Sequence, residues 1–115
     1  MVKDIDNRTF EFGLRIIELV NLLPRNISGN AIANQLMRSG TSIGANVEEA
    51  FGGHTKTEFI YKMNVAKSEA RETKYWLKLI DASSLIKSPL INFLNKEIDE
   101  LVAILTTIVR KSKIK

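Results

Sequence analysis

RSGTSIGANVEEA, residues Arg38 to Ala50, decides the fold class of this chain. Ile32, Leu36, Ser39, Ile43, Asn46 and Ala50 step by three and four, which places them on one face of a helix. Two members of that apolar seam, Ser39 and Asn46, are polar. Beside it run Ala33, Met37, Gly40, Gly44, Val47 and Phe51. Gly40 and Gly44 each cost about 1 kcal/mol in a helix interior relative to alanine, so a close helix crossing is expected to offset them. Read instead as a phosphate-cradling loop, GTSIG lacks the following lysine and the preceding strand that such loops need.

The partner segment is SEARETKYWL, Ser68 to Leu77. Phe59, Met63, Ala66, Ala70, Thr73, Leu77 and Ile80 form its seam, and Val65, Glu69, Glu72, Trp76 and Leu79 form a second stripe. Two carboxylates one turn apart, between a valine and a tryptophan, need hydrogen-bond donors or a cation if they are buried. An interhelical network of Arg38, Asn46, Glu49, Glu69 and Glu72 is therefore expected, with Ser39, Arg15 and Arg71 as further donors. In that case Glu69→Gln would lower stability markedly. The alternative is that these carboxylates are solvated surface groups.

Outward from these segments, glycine and proline mark the joints. PRNISG (Pro24 to Gly29) separates the first two apolar segments. Gly52-Gly53 offers left-handed residues to end a helix, Thr55 to Glu58 reads as a capping box, and Ser88-Pro89 opens the last helix. Helices are expected over roughly 6–23, 29–51, 56–82 and 89–112 in a single domain, 1–115. In the fourth, Ile91, Leu94, Ile98, Leu101, Leu105 and Ile108 step without a break. Short joints make sequence neighbours antiparallel, so the expected fold is an all-α, antiparallel up-down four-helix bundle. No alternating β-branched run argues for a strand.

The first helix confines its polar residues to one stripe, Arg8, Glu11, Arg15 and Glu18. Phe10, Phe12, Leu14, Ile16, Ile17, Leu19, Val20 and Leu23 cover most of the rest. A small bundle does not need so wide an apolar face in one copy, so self-association is expected. A broadened monomer core is the alternative.

Composition excludes several classes. With 115 residues, 44% hydrophobic and 26% charged, the chain is an ordinary globular domain. It has no cysteine, which removes disulfides, thiolate catalysis and Cys-ligated zinc. No apolar run approaches the roughly 20 residues that span a bilayer. The opening MVKDIDNRTFEF lacks a secretory signal's pattern, so a cytoplasmic protein with no membrane role is expected. Net charge is +4, yet residues 1–55 carry −1 and residues 56–115 carry +5. That imbalance permits an anionic partner without requiring one.

LMRSGTSIGANVEEA, followed after a short linker by EFIYKMNVAKSEARETKYWL, resembles the four helix bundle protein, or 23S rRNA intervening-sequence protein, family. FEFGLRIIEL is similar too, so the likeness covers roughly residues 8–82 and weakens in helix four. The resemblance implies an up-down bundle that assembles into a homopentamer. Some relatives are encoded in intervening sequences of bacterial 23S rRNA genes, and many others are chromosomal with no assigned activity. The accessory protein of diversity-generating retroelements is similar in fold, forms a basic pentameric barrel and works with nucleic acid and a reverse transcriptase. Phe51-Gly52-Gly53 departs from the family's usual polar residue and single glycine, so contacts at that turn do not carry over.

No catalytic constellation emerges. Glu48, Glu49, Glu69 and Glu72 invite comparison with di-iron bundles, but those need a Glu-x-x-His pair on each of two helices. The lone histidine, His54, sits past the glycine stop as a turn residue. No cofactor, metal or enzymatic activity is expected. Lys67, Arg71, Lys74 and Lys78 share one face of helix three, and Arg110, Lys111, Lys113 and Lys115 cluster at the carboxyl end. Phosphate binding by such a surface would be electrostatic and salt dependent. A solvated helix face and a favourable helix-dipole contact are the plain alternatives. No aromatic residue interleaves the stripe to stack a base. Two readings stay open: a nucleic-acid-binding scaffold acting on RNA or DNA, and a structural or protein-interaction module with no nucleic-acid role.

Overall fold

The computed structural model describes residues 4–114. Four helices follow one another: α1 Ile5–Val20, α2 Ile27–Phe51, α3 Lys56–Ser83 and α4 Pro89–Lys113. Among the described residues there is no strand. Each helix packs on its sequence neighbours, and α1 closes against α4. Ile16 meets Gly40 while Thr9 meets Gly44, and Arg38 reaches Glu69 while Glu49 reaches Lys62. Those registers run in opposite directions, so the bundle is up-down and antiparallel, 48 Å long and about 20 Å across.

Three of the helix starts are written in side chains. Asn26 Oδ1 accepts from Gly29 N at 2.8 Å, Thr55 Oγ1 from Glu58 N at 3.1 Å, and Ser88 Oγ from Leu90 N at 3.2 Å. Glu58 returns the bond, accepting from His54 N at 2.7 Å. Two helix ends differ from expectation. α1 stops at Val20 and not near residue 23, because Pro24 disfavours helical geometry in the residue before it. Leu23 still enters the core from the turn. Gly52 is not left-handed (φ −88°), and the left-handed cap belongs to Ser84 (φ 55°), where Leu85 N donates to Ile80 O.

The core follows the seams. All six α4 seam residues are buried, as are Met63, Ala66, Ala70, Thr73, Leu77 and Ile80 on α3. α2 contributes Leu36, Ser39, Ile43, Val47 and Ala50, with Ile32 and Asn46 half-buried. The buried hydroxyls satisfy one another: Thr73 Oγ1 shares a 2.9 Å bond with Ser39 Oγ and lies 2.8 Å from the Glu69 carbonyl. From α1 only Ile5, Thr9, Phe12, Ile16 and Leu19 are buried, while Phe10, Leu14 and Ile17 point outward. The wide apolar face of α1 is therefore divided between core and surface.

α1 has 16 residues against 25 in α4, so the last turns of α4 run past it. Phe59, Ile104, Thr107 and Ile108 there line an open apolar cleft of about 440 Å³.

Candidate functional site

Three surfaces carry the residues singled out by sequence. The first is the α2–α3 polar cluster. Arg38 Nη1 lies 3.2 Å from Glu69 Oε1, and Arg38 Nη2 bonds Glu72 Oε2 and Gln35. Trp76 Nε1 donates to the same Glu72 oxygen at 3.0 Å. Trp76 is the member that spacing did not reveal, although its place one turn after Glu72 is the signal for it. Asn46 and Glu49 stand apart: Asn46 Nδ2 donates to the Ser42 carbonyl of its own helix at 2.8 Å, and Glu49 pairs with Lys62 at 2.7 Å. The bond to Glu49 raises the Lys62 pKa. Arg15 faces Glu18, and Arg71 is exposed.

Burial is shallower than the network reading requires. The Arg38 side chain is 49% exposed and that of Glu69 21%, so water screens the pair. Glu69→Gln is accordingly expected to cost less than about 1 kcal/mol, read from urea unfolding curves. A loss above about 2 kcal/mol would mean that the cluster is dry.

The second surface is an apolar groove between α1 and α2, about 470 Å³ in volume. Phe10, Leu14 and Ile17 form one wall, Thr41, Gly44 and Ala45 the other, and Asp6 and Glu48 stand at its rim. Gly40 and Gly44 bring the two helices together: a Cβ at Gly40 would lie 2.8 Å from Ile16, and one at Gly44 would lie 3.2 Å from the Thr9 carbonyl oxygen. Gly13 has the opposite role. A Cβ there would meet nothing within 4 Å, so it leaves the groove open.

The third surface is cationic. Lys67 is half-buried, and Arg71, Lys74 and Lys78 are exposed along α3. Lys74 Nζ lies 2.9 Å from Asp99 on α4, which sets the stripe on the α3–α4 edge. Among the described residues, Lys67, Arg71 and Lys78 have no carboxylate within 4 Å. Arg110 and Lys113 fall on the helical row that contains Asp99 and Thr106, so they extend this edge. Lys78 to the level of Lys113 spans about 27 Å of bundle. Lys111 turns away to the wall of the apolar cleft, and Lys115 lies outside the described residues.

Of the four carboxylates weighed as a di-iron set, Glu69 and Glu72 hold Arg38, Glu49 holds Lys62 and Glu48 is exposed. Among the described residues no three His, Cys, Asp or Glu side chains converge to hold a metal, and no helix is long and apolar enough to cross a membrane.

A four-helix bundle with a cationic edge and open apolar grooves is the class that fold and surface define. The family model of the 23S rRNA-intervening sequence protein matches residues 3–107, and the chain belongs to that family. The match runs well into α4, further than the roughly 8–82 suggested by motifs alone. A crystal structure of a protein of unknown function from the S23 ribosomal protein family of Bacteroides thetaiotaomicron is 33% identical, with a TM-score of 0.86 over 95% of this chain and 97% of that one. No curated protein matches.

Proposed function

We propose that this family member is a cytoplasmic, non-enzymatic homopentamer that serves as a nucleic-acid-binding scaffold or accessory factor. The observation that carries the reading is the α3–α4 edge, where Lys67, Arg71 and Lys78 lack carboxylate partners among the described residues and Arg110 and Lys113 continue the row. Cations left free in the folded protein are the ones that can release counterions from a phosphate backbone. Self-association multiplies them, because several edges of a +4 chain would surround one assembly and convert weak contacts into avidity. The α1–α2 groove supplies the contact between copies.

The test is binding to RNA and to duplex DNA at two salt concentrations. Reversing Lys67, Arg71, Lys74 and Lys78 to glutamate is expected to weaken binding at least about 100-fold at low salt and to flatten the salt slope. Circular dichroism should stay unchanged, since these side chains lie outside the core. Unaltered binding in the reversed variant would place the phosphates elsewhere, and no binding by the parent protein at low salt would remove the reading. The second reading, a protein-interaction module, is favoured by the Phe59–Ile104–Ile108 cleft, which offers a mainly apolar surface to a partner.

A further inference from the structure

The cationic edge has an aromatic border. α3 presents adjacent rows of residues seven apart: Lys67 and Lys74, then Asn64, Arg71 and Lys78, then Tyr61, Ser68 and Tyr75. Tyr61 is 63% exposed and Tyr75 55%, and neither belongs to the core. The two rings stand about 21 Å apart along the helix with only the small Ser68 between them. Tyr75 follows Arg71 by four residues and precedes Lys78 by three, so it adjoins both cations on the helix surface.

Tyr75 is also held in place. Its ring meets Trp76 edge-on, with centroids 5.2 Å apart and planes 70° from parallel. Trp76 is fixed by its bond to Glu72, and Glu72 by Arg38. The polar cluster on the α2–α3 side thus ends on an exposed aromatic beside cations, Arg71 and Lys78, that have no carboxylate partner among the described residues.

In a duplex the bases are stacked inside, and exposed tyrosines outside the phosphates have little to engage. In a single strand every base offers a face, and aromatic rings beside a cationic track are what such strands bind. Resting on the nucleic-acid reading above, we infer that the Tyr61–Ser68–Tyr75 row is a stacking platform for single-stranded nucleic acid, tolerant of sequence. Lys67, Arg71 and Lys78 hold the backbone while Tyr75 and Tyr61 take bases.

Fluorescence anisotropy with the full chain tests this, using labelled oligo(U), oligo(dT) and a mixed-sequence duplex of equal length at one low salt concentration. Both single strands are expected to bind about tenfold more tightly than the duplex, and a difference between them reports any use of the 2′-hydroxyl. Tyr75→Ala should weaken single-strand binding roughly tenfold with duplex binding unchanged, and Tyr75→Phe should restore it. Equal binding of all three probes, indifferent to Tyr75→Ala, would overturn the stacking platform while leaving the electrostatic reading intact. Binding of none would remove both. A change of oligomer size in Tyr75→Ala would assign that row to contacts between copies and overturn the platform as well.

Discussion

Gly29→Ala is expected to destabilise the bundle by about 3 kcal/mol, the upper end of the cost of overpacking. Helix propensity alone points the other way, since alanine in a helix is about 1 kcal/mol better than glycine. Geometry decides the sign. A Cβ at Gly29 would fall 1.8 Å from the Pro24 carbonyl oxygen and 2.9 Å from its carbon. Those atoms are backbone, so no side-chain rotation relieves the clash. Gly29 is also the residue whose N–H is capped by Asn26, so moving it away from Pro24 breaks that bond too. The chain must then reopen the turn that sets α1 against α2. Urea unfolding of the variant and the parent measures the difference; a loss under about 0.5 kcal/mol would mean that the turn adapts freely.

The second large effect concerns the groove. Phe10→Asp with Leu14→Asp should dissociate the proposed assembly while leaving each bundle folded. Phe10 is 65% exposed in the single copy and Leu14 lies at the groove wall, so neither substitution opens the core. Between copies, each would place an unpaired carboxylate where the proposed contact buries apolar surface, a loss of at least about 2 kcal/mol per contact. Gly13→Ala separates the two levels more finely. With open space around it, the added methyl should stabilise the isolated bundle by up to about 1 kcal/mol and yet weaken association by raising the groove floor. Sedimentation velocity and thermal melting, run side by side, read the two effects. A stabilised variant of unchanged assembly state would show that the groove faces water.

Faces were legible in the sequence, and registers were not. The unbroken three-and-four spacing of Ile91 to Ile108 named every buried residue of the α4 seam, and the crowded apolar circumference of α1 announced that part of it would stay outside. Periodicity says which side of a helix a residue occupies, but not which residue of the next helix it meets. Asn46 shares a seam with Ser39, yet it bonds its own helix, while Ser39 reaches Thr73. Glu49 lies level with Lys62, two turns or more from the Arg38 pair. The same gap hid the tyrosine row: Tyr61 and Tyr75 are not within the cationic stripe, and only their exposure beside it marks them. Backbone geometry was less legible still. Gly52-Gly53 suggested a left-handed stop, but that conformation falls on Ser84, a residue with no propensity to advertise it.

Groove, multiplied charge and scaffold role all depend on copies coming together, and the molar mass of the purified protein in solution reports that directly. Light scattering coupled to size-exclusion chromatography is predicted to give five times the 13.0 kDa of one chain, constant across dilution. A single species at 13.0 kDa, persisting at high protein concentration, would contradict it.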